Sequence, residues 1–405
     1  MVRGTRELHQ LLAAGKDDAP EADAIRDATD GPWRALSEAE RNRVRNLSED
    51  LYSLFETPPP AQPPNPQVLT KLNEAYEAKQ RGEWDRALDL LRRWRAHIVP
   101  PELVSYLRGS IWLDAGDPAT AVLFFEHAVR LDPQNENYHC LFLTALDITE
   151  PKRARELAAK ILRNTDQFSP VVIFRSAEIV FKSAMANSVM ESQQEVRRLE
   201  PILKETIVRF EQQDPSNINR SVHVSAISLL GAGYEICGET QTAMDYYSKG
   251  LQLEPYNDAL LAARGILQYG TSPKALTDLE MAIRADSPLV WPYVLLAHHT
   301  LLIERFEECR KLCERALSMN GSPSVMSEVS EWMAIAQAHL GFPAEMVRAL
   351  FDNAIRLDPS NERAKRNLTA FEAASKSIAV KTWETRSANA VRNSGLAEKW
   401  FAMAA

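Results

Sequence analysis

The chain has 405 residues, of which 45% are hydrophobic and 25% charged, an ordinary composition for a folded protein that excludes wholesale disorder. Its 47 Lys and Arg against 55 Asp and Glu leave a formal net charge of -8, which gives no electrostatic reason to expect a nucleic-acid partner. No run of about 18 apolar residues is present for membrane insertion, residues 1–25 lack the basic start and apolar core of a secretory signal, and no lipidation motif stands at either end; a cytoplasmic location is expected.

Residues 1–30 mix Ala, Asp, Glu and Gly with no sustained apolar periodicity beyond Leu8, Leu11 and Leu12, which predicts a mostly disordered N-terminal segment. Residues 31–57 should form an N-terminal helix. Ser37 and Glu40 have capping-box spacing, and Val44, Leu47, Leu51 and Leu54 make one apolar stripe, so the helix is expected from about Glu38 to Phe55. Residues 58–66 then carry six prolines in nine positions, a composition that favours an extended polyproline II spacer. The stretch could also dock on a proline-recognising domain, but it separates two helical regions and no second proline motif supports docking.

From about residue 67 to residue 361 a unit recurs. Leu131-Asp132-Pro133 returns as Leu253-Glu254-Pro255 and as Leu357-Asp358-Pro359, each preceded by a small residue, Ala128, Gly250 or Ala354. Pro100, Pro133, Pro170, Pro215, Pro255, Pro288, Pro323 and Pro359 are 33, 37, 45, 40, 33, 35 and 36 residues apart, most of them near the roughly 34-residue period of a helix-turn-helix repeat. Proline suits these junctions because it cannot continue a helix interior yet fits the first turn of the next helix. Eight units fit. The 45-residue interval is the irregular one: Val171–Met185 reads as a buried helix and Glu191–Gln213 as a long second helix, with Val196, Leu199, Leu203, Ile207 and Phe210 on one face. An insertion or a long helix is expected near 186–213, read as a drifted repeat in preference to a dedicated binding protrusion.

Within the units, Gly109, Trp112, Gly116, Ala121, Phe125, Ala128 and Pro133 are matched by Gly231, Tyr234, Gly238, Ala243, Tyr247, Gly250 and Pro255. Small residues where two helices cross, an aromatic one turn on and a large ring in the second helix form a pattern that resembles the tetratricopeptide repeat (TPR). Gly109 and Ala121 leave space for close helix approach, and Phe124 and Phe125 should fill the groove between. Looser units keep Gly82, Trp84, Ala87 and Leu91 with Trp94 at a usually small position, place Cys309, Cys313 and Ala316 in a second helix, or shorten the turn to Gly270-Thr271-Ser272-Pro273. The resemblance implies an all-α fold: a right-handed superhelical α-solenoid of about eight TPR-like helical hairpins with a C-terminal capping helix.

Glu362–Ser375 is expected to be that cap, since a terminal repeat must shield its apolar face. Residues 361–405 hold eight Lys or Arg against four acids, and Trp383, Trp400 and Phe401 make this a basic aromatic tail. It is expected either to pack back on the acidic body or to anchor an acidic partner.

No Gly-rich phosphate loop, His-Glu-x-x-His, Gly-x-Ser-x-Gly or dinucleotide fingerprint is present, so neither enzymatic activity nor a cofactor is expected. Four cysteines are too few and too uneven for a disulfide framework. Cys309 and Cys313 with His298 and His299 could be drawn as four metal ligands, but both cysteines fall where a helix crossing wants a small apolar residue. His223, His298 and His299 read as packing or surface residues.

In the resembling family the first helices of successive hairpins line a concave groove, which here would receive Tyr106, Leu113, His139, Leu143, Ser228, Glu235, Trp291, Val294 and His298. For Leu113, Leu143 and Val294 ordinary packing is the better reading. TPR domains that grip a chaperone's C-terminal carboxylate carry Lys, Asn and Arg at set first-helix positions; this chain has Leu72, Tyr76, Leu107, Glu136 and Cys140 there, so that clamp is not encoded. The expected function is a protein-protein interaction scaffold that takes a partner peptide or helix in its groove, with Tyr106, His139, Ser228, Glu235, Trp291, His298, Trp383 and Trp400 as candidate contacts. The alternative is a regulatory or assembly subunit that docks on a separately encoded enzyme or multiprotein complex, with residues 38–55 and the basic tail as docking elements.

Overall fold

The computed structural model describes residues 1–55, 66–93, 100–213, 219–373 and 383–395, which form helices and connecting turns with no strand among them. The chain divides into two compact units, Met1–Ile179 and Val180–Ala405. No helix of the described residues is long and apolar enough to cross a membrane.

The first unit opens with α1 (Val2–Ala13), α2 (Pro20–Ala35) and α3 (Glu38–Tyr52). Hairpins follow: α4 (Pro66–Gln80) with α5 (Trp84–Arg93), α6 (Pro101–Asp114) with α7 (Pro118–Leu131), and α8 (Glu136–Thr149) with α9 (Pro151–Ile161). The division falls within α10 (Pro170–Asn187). The second unit continues with α11 (Val189–Glu211), α12 (Arg220–Ile236), α13 (Thr240–Leu253), α14 (Asp258–Gln268), α15 (Lys274–Arg284), α16 (Trp291–Leu302), α17 (Phe306–Leu317), α18 (Pro323–His339), α19 (Ala344–Leu357) and α20 (Glu362–Ala373). A last short helix, α21, covers residues 388–395. Within each unit, consecutive hairpins pack on one another, as they must, because one hairpin cannot bury its own apolar face. The cap expected at Glu362–Ser375 is α20, which packs on α19.

Missing side chains set the approach of paired helices. A Cβ on Gly109 of α6 would lie 2.8 Å from the Phe125 ring of α7, one on Gly231 of α12 2.7 Å from the Tyr247 ring of α13, and one on Gly265 of α14 2.8 Å from Leu279 of α15. The partner therefore sits directly on the glycine backbone. The turns repeat as well. Gly116 (φ 83°) and Gly238 (φ 77°) stop their helices in the left-handed conformation that glycine adopts without a Cβ clash. In the α16–α17 turn that place is taken by Glu304 (φ 60°), which is why no glycine marks this unit.

Phe124 departs from the sequence expectation. Phe125 fills the α6–α7 crossing, but Phe124 is buried with Leu47, Leu51 and Leu54 at the end of the α3 stripe. The mostly disordered start is also corrected, because residues 1–30 contain α1 and most of α2. Their buried residues are Thr5, His9 and Ala22, small or polar groups that leave no apolar period to read. Polar contacts hold them instead: Arg6 donates to Asp117 at 3.1 Å and to Thr120 at 3.2 Å, and His9 lies 3.0 Å from the Ser48 hydroxyl with its ring edge-on to Tyr52. The Ser37–Glu40 capping box is formed, and α3 ends at Tyr52 rather than Phe55. Of the proline-rich linker only Pro66 belongs to the described residues, where it opens α4; Trp94 and Trp400 also lie outside them.

Under α3 lies a buried ion cluster. Asp50 is fully buried; Arg92 donates to both its carboxylate oxygens at 3.1 Å, and Arg108, equally buried, stands 2.9 Å away. Arg108 also donates to Ser53 at 3.0 Å, and Arg130 to the Leu54 carbonyl at 3.2 Å.

The long helix of the irregular repeat packs and does not project. All five residues of its expected apolar face, Val196, Leu199, Leu203, Ile207 and Phe210, are buried. Along α12, Val196 lies against Gly233, the Tyr234 hydroxyl donates to Glu200 at 2.7 Å, and Gln193 donates to the Ile236 carbonyl at 3.0 Å. Its extra turn leaves Val189 and Met190 exposed.

Two stability outcomes follow. Asp50→Ala takes the carboxylate from the buried Arg108 guanidinium and leaves Arg92 with Asp89 alone, and should destabilise the first unit by roughly 3–5 kcal/mol in urea unfolding, against about 1 kcal/mol for Arg130→Ala, which removes one bond to a carbonyl. Gly231→Ala, which drives a methyl into the Tyr247 ring, should cost about 1–3 kcal/mol.

Candidate peptide-binding groove

In the second unit the chain covers its own first helices. Past α20, residues 383–387 run without regular structure and then enter α21. This segment makes contact with α16, α18 and α20, with Phe351 of the second helix α19, and with the turn after α14.

Four contacts position it. The Trp383 indole donates from Nε1 to His339 Nε2 at 2.8 Å and stacks on Phe351 at a centroid distance of 6.0 Å. Asn367 of α20 holds the main chain of Glu384 from both sides: its Oδ1 accepts from the Glu384 amide at 2.9 Å, and its Nδ2 donates to the Glu384 carbonyl at 3.0 Å. The Arg386 carbonyl can only accept, so His298 of α16 donates to it from Nε2 at 2.9 Å, and His298 Nδ1 then accepts from the Tyr269 hydroxyl at 2.8 Å. The Arg386 guanidinium pairs with Glu328 of α18 and also donates to the Ala390 carbonyl at 2.8 Å and the Ser394 hydroxyl at 3.0 Å, tying residues 383–387 to α21.

Helix α21 then approaches without clearance. Val391 is fully buried in the core of the unit. A Cβ on Gly395 would lie 2.9 Å from the Trp291 ring, and one on Gly270 would meet Ala388 at 2.8 Å.

A buried polar set supports the surface from below. Glu331 of α18 is fully buried and accepts from Arg363 at 2.8 Å, Asn361 at 3.2 Å and Asn367 at 2.7 Å. Burial pushes its carboxyl up, opposed by Arg363 and the two asparagines. Asn367 is thus oriented by Glu331 on one side and reads a main chain on the other. His298 is fully buried, and burial pulls its pKa down to about 4, so the neutral ring that this bonding pattern requires is the stable form at neutral pH.

The candidate contacts named from the sequence fall in different places. Trp291, His298 and Trp383 meet in this one region, where Trp291 and His298 are covered by the chain's own segment and present no open surface in this conformation. Val294 and Leu143 are buried core residues, and Leu113 is half-buried. Tyr106 packs its ring on Tyr138 at 5.0 Å, and His139 bonds the Pro133 carbonyl at 2.8 Å with its ring edge-on to Phe168; both serve packing in the first unit. Glu235 accepts from the Tyr247 hydroxyl at 2.6 Å, and Ser228 is half-buried on α12. Cys309 and Cys313 are buried on α17 with sulfurs 3.9 Å apart, whereas His298 is engaged with Tyr269 and Arg386; among the described residues no three His, Cys, Asp or Glu are grouped to hold a metal. Sequence reasoning did not find Asn367, Glu328, Glu331 or Tyr269. The only available signal was a local excess of positive charge in the tail, which calls for a carboxylate partner without naming it.

No family model matches the chain, and no curated protein matches it. Among solved structures it is similar to a tetratricopeptide repeat protein from Parabacteroides merdae at 14% identity, with 66% of this chain and 98% of that one covered at a TM-score of 0.43. It is similar to the APC/C hetero-tetramer Cut9-Hcn1 at 14% identity, with 90% and 88% covered at 0.39, and to MamA protein at 17% identity, with 45% and 89% covered at 0.32. The TPR-like character of the hairpins stands on this chain's own contacts, the rings and the leucine seated on Gly109, Gly231 and Gly265.

His298 links this site to pH. Its folded pKa of about 4 lies below the ordinary 6.5, so the unfolded chain takes up the proton first as pH falls. The stabilisation is complete above about pH 6.5 and is lost towards pH 4. Moving from pH 7 to pH 5 should cost the wild type about 2 kcal/mol more than His298→Gln, read as the difference between their urea-unfolding curves.

Proposed function

We propose that this protein is a non-enzymatic interaction scaffold, acting in the cytoplasm, whose inner face in the second unit binds a peptide-like segment of a partner protein. The observation that carries this reading is main-chain recognition. Asn367 bonds both the amide and the carbonyl of Glu384, and His298 bonds the carbonyl of Arg386. Side chains that address a backbone two residues apart suit an extended peptide of many sequences, while the Trp383 site and the Glu328 carboxylate supply the choice among them.

Both docking elements of the alternative, a subunit docking on an enzyme or multiprotein complex through residues 38–55 and the basic tail, are partly engaged within the chain. Helix α3 already buries Leu47, Asp50 and Leu51 within the first unit, and the described part of the tail is engaged with α16, α18 and α20.

Affinity capture tests the reading. A partner retained from native lysate by the wild-type chain should be lost at least tenfold by Asn367→Ala and by Glu328→Lys, each verified as folded by circular dichroism, and kept by a Tyr106→Ala control in the first unit. Equal capture by all four proteins would place binding elsewhere.

A further inference from the structure

We infer that residues 383–395 are a resident stand-in for the partner, and that the groove selects a basic-aromatic segment of the same chemistry: an aromatic residue, an arginine three positions on, and an aliphatic residue five further on within a short helix. This deepens the scaffold reading and rests on it.

Charge gives the first argument. Glu328 of α18 is almost fully buried, and its partners are Arg386 of the segment and Arg363 of α20, the latter at 3.6 Å. Arg363 is committed to Glu331 at 2.8 Å. Without the segment, Glu328 would keep only that longer, shared contact, so any occupant must bring a cation to this point. An acidic or purely apolar partner would leave the carboxylate stranded.

The form of the contacts gives the second. Helix α20 already serves as the cap of the last hairpin through its packing on α19, and the segment is not a further cap stacked beyond it. It turns back across α20, α18 and α16 and reaches the α14 turn, where Arg392 comes within 3.5 Å of the Tyr269 carbonyl. Only Trp383, Val391 and Gly395 are buried, while Glu384, Thr385, Ser387, Asn389 and Asn393 are exposed. Buried side-chain anchors at Trp383 and Val391, two main-chain clamps and two ion pairs, Arg386 with Glu328 and Glu384 with Arg366 at 2.6 Å, are what a bound peptide makes. An incoming segment that supplies the same groups replaces each contact one for one, so exchange leaves no buried polar atom of the groove unmatched.

The experiment uses the full chain and a fluorescein-labelled synthetic peptide of residues 383–395. Arg386→Glu and Val391→Asp weaken the resident segment at separate points and leave the groove intact. Both variants should bind the free peptide at least tenfold more tightly than the wild type, and a peptide carrying Arg386→Ala should lose that gain. Should either variant fail to fold, the wild type alone decides: hydrogen exchange at the Glu384 amide should speed up when free peptide is added in excess. Unchanged protection there, or variants that bind no more tightly while partner capture persists, overturns the exchange and leaves the scaffold reading standing. Loss of both peptide binding and partner capture in folded variants overturns the groove itself.

Discussion

The architecture depends on close approach of paired helices over a missing side chain. Where Gly109, Gly231 or Gly265 leaves bare backbone, Phe125, Tyr247 or Leu279 rests on it, and the two helices interlock at a separation that no larger residue would allow. Each hairpin is thereby rigid but incomplete, with an apolar face that only the next hairpin covers. Stacking then follows from burial, and stacking in register places the first helices of successive repeats side by side. A surface made of first helices is a by-product of packing second helices.

That surface in the second unit is costly to build. Glu331, His298 and Asn367 are polar groups at or near zero exposure, and desolvation alone would expel them. They persist because each has partners: Glu331 three nitrogen donors, His298 a hydroxyl and a carbonyl, Asn367 a carboxylate and a main chain. Two of these partners, the Arg386 carbonyl and the Glu384 peptide group, belong to the folded-back segment. Apolar residues at these positions would leave the main-chain atoms of the crossing segment unpaired, and the polar set bonds them instead.

Legibility in the sequence followed the kind of signal each element carries. The hairpins announced themselves because Gly109 with Phe125 and Gly231 with Tyr247 need fixed spacing, and the long helix α11 because its five apolar residues keep one face. Helices α1 and α2 were missed because what they bury is Thr5, His9 and Ala22 and what holds them is Arg6 on Asp117, 111 positions away. Phe124 and Phe125 look alike in sequence, yet one fills a hairpin and the other receives α3, a choice made by tertiary packing. In the candidate groove, Trp291, His298 and Trp383 were marked by residue type. Asn367 and Glu328 were not, because an asparagine that reads a main chain leaves no pattern, and Glu328 meets its arginine 58 residues later.

The two terminal segments show how similar chemistry can hold with different permanence. Near the N-terminus, Asp50 is fully buried between Arg92 and Arg108, and Leu47, Leu51 and Leu54 close over Phe124; releasing α3 would expose an apolar stripe and take the carboxylate from the buried Arg108 in a single step. Near the C-terminus Arg386 meets Glu328 with its side chain still 29% exposed, Glu384 meets Arg366 on the exposed side, and Asn367 and His298 bond main-chain atoms that any peptide carries. The first is a closure that defines the unit. The second has the same ionic logic at a smaller buried area, with every contact replaceable by an equivalent from outside, and that difference makes the C-terminal segment an occupant of the groove where α3 is part of the wall.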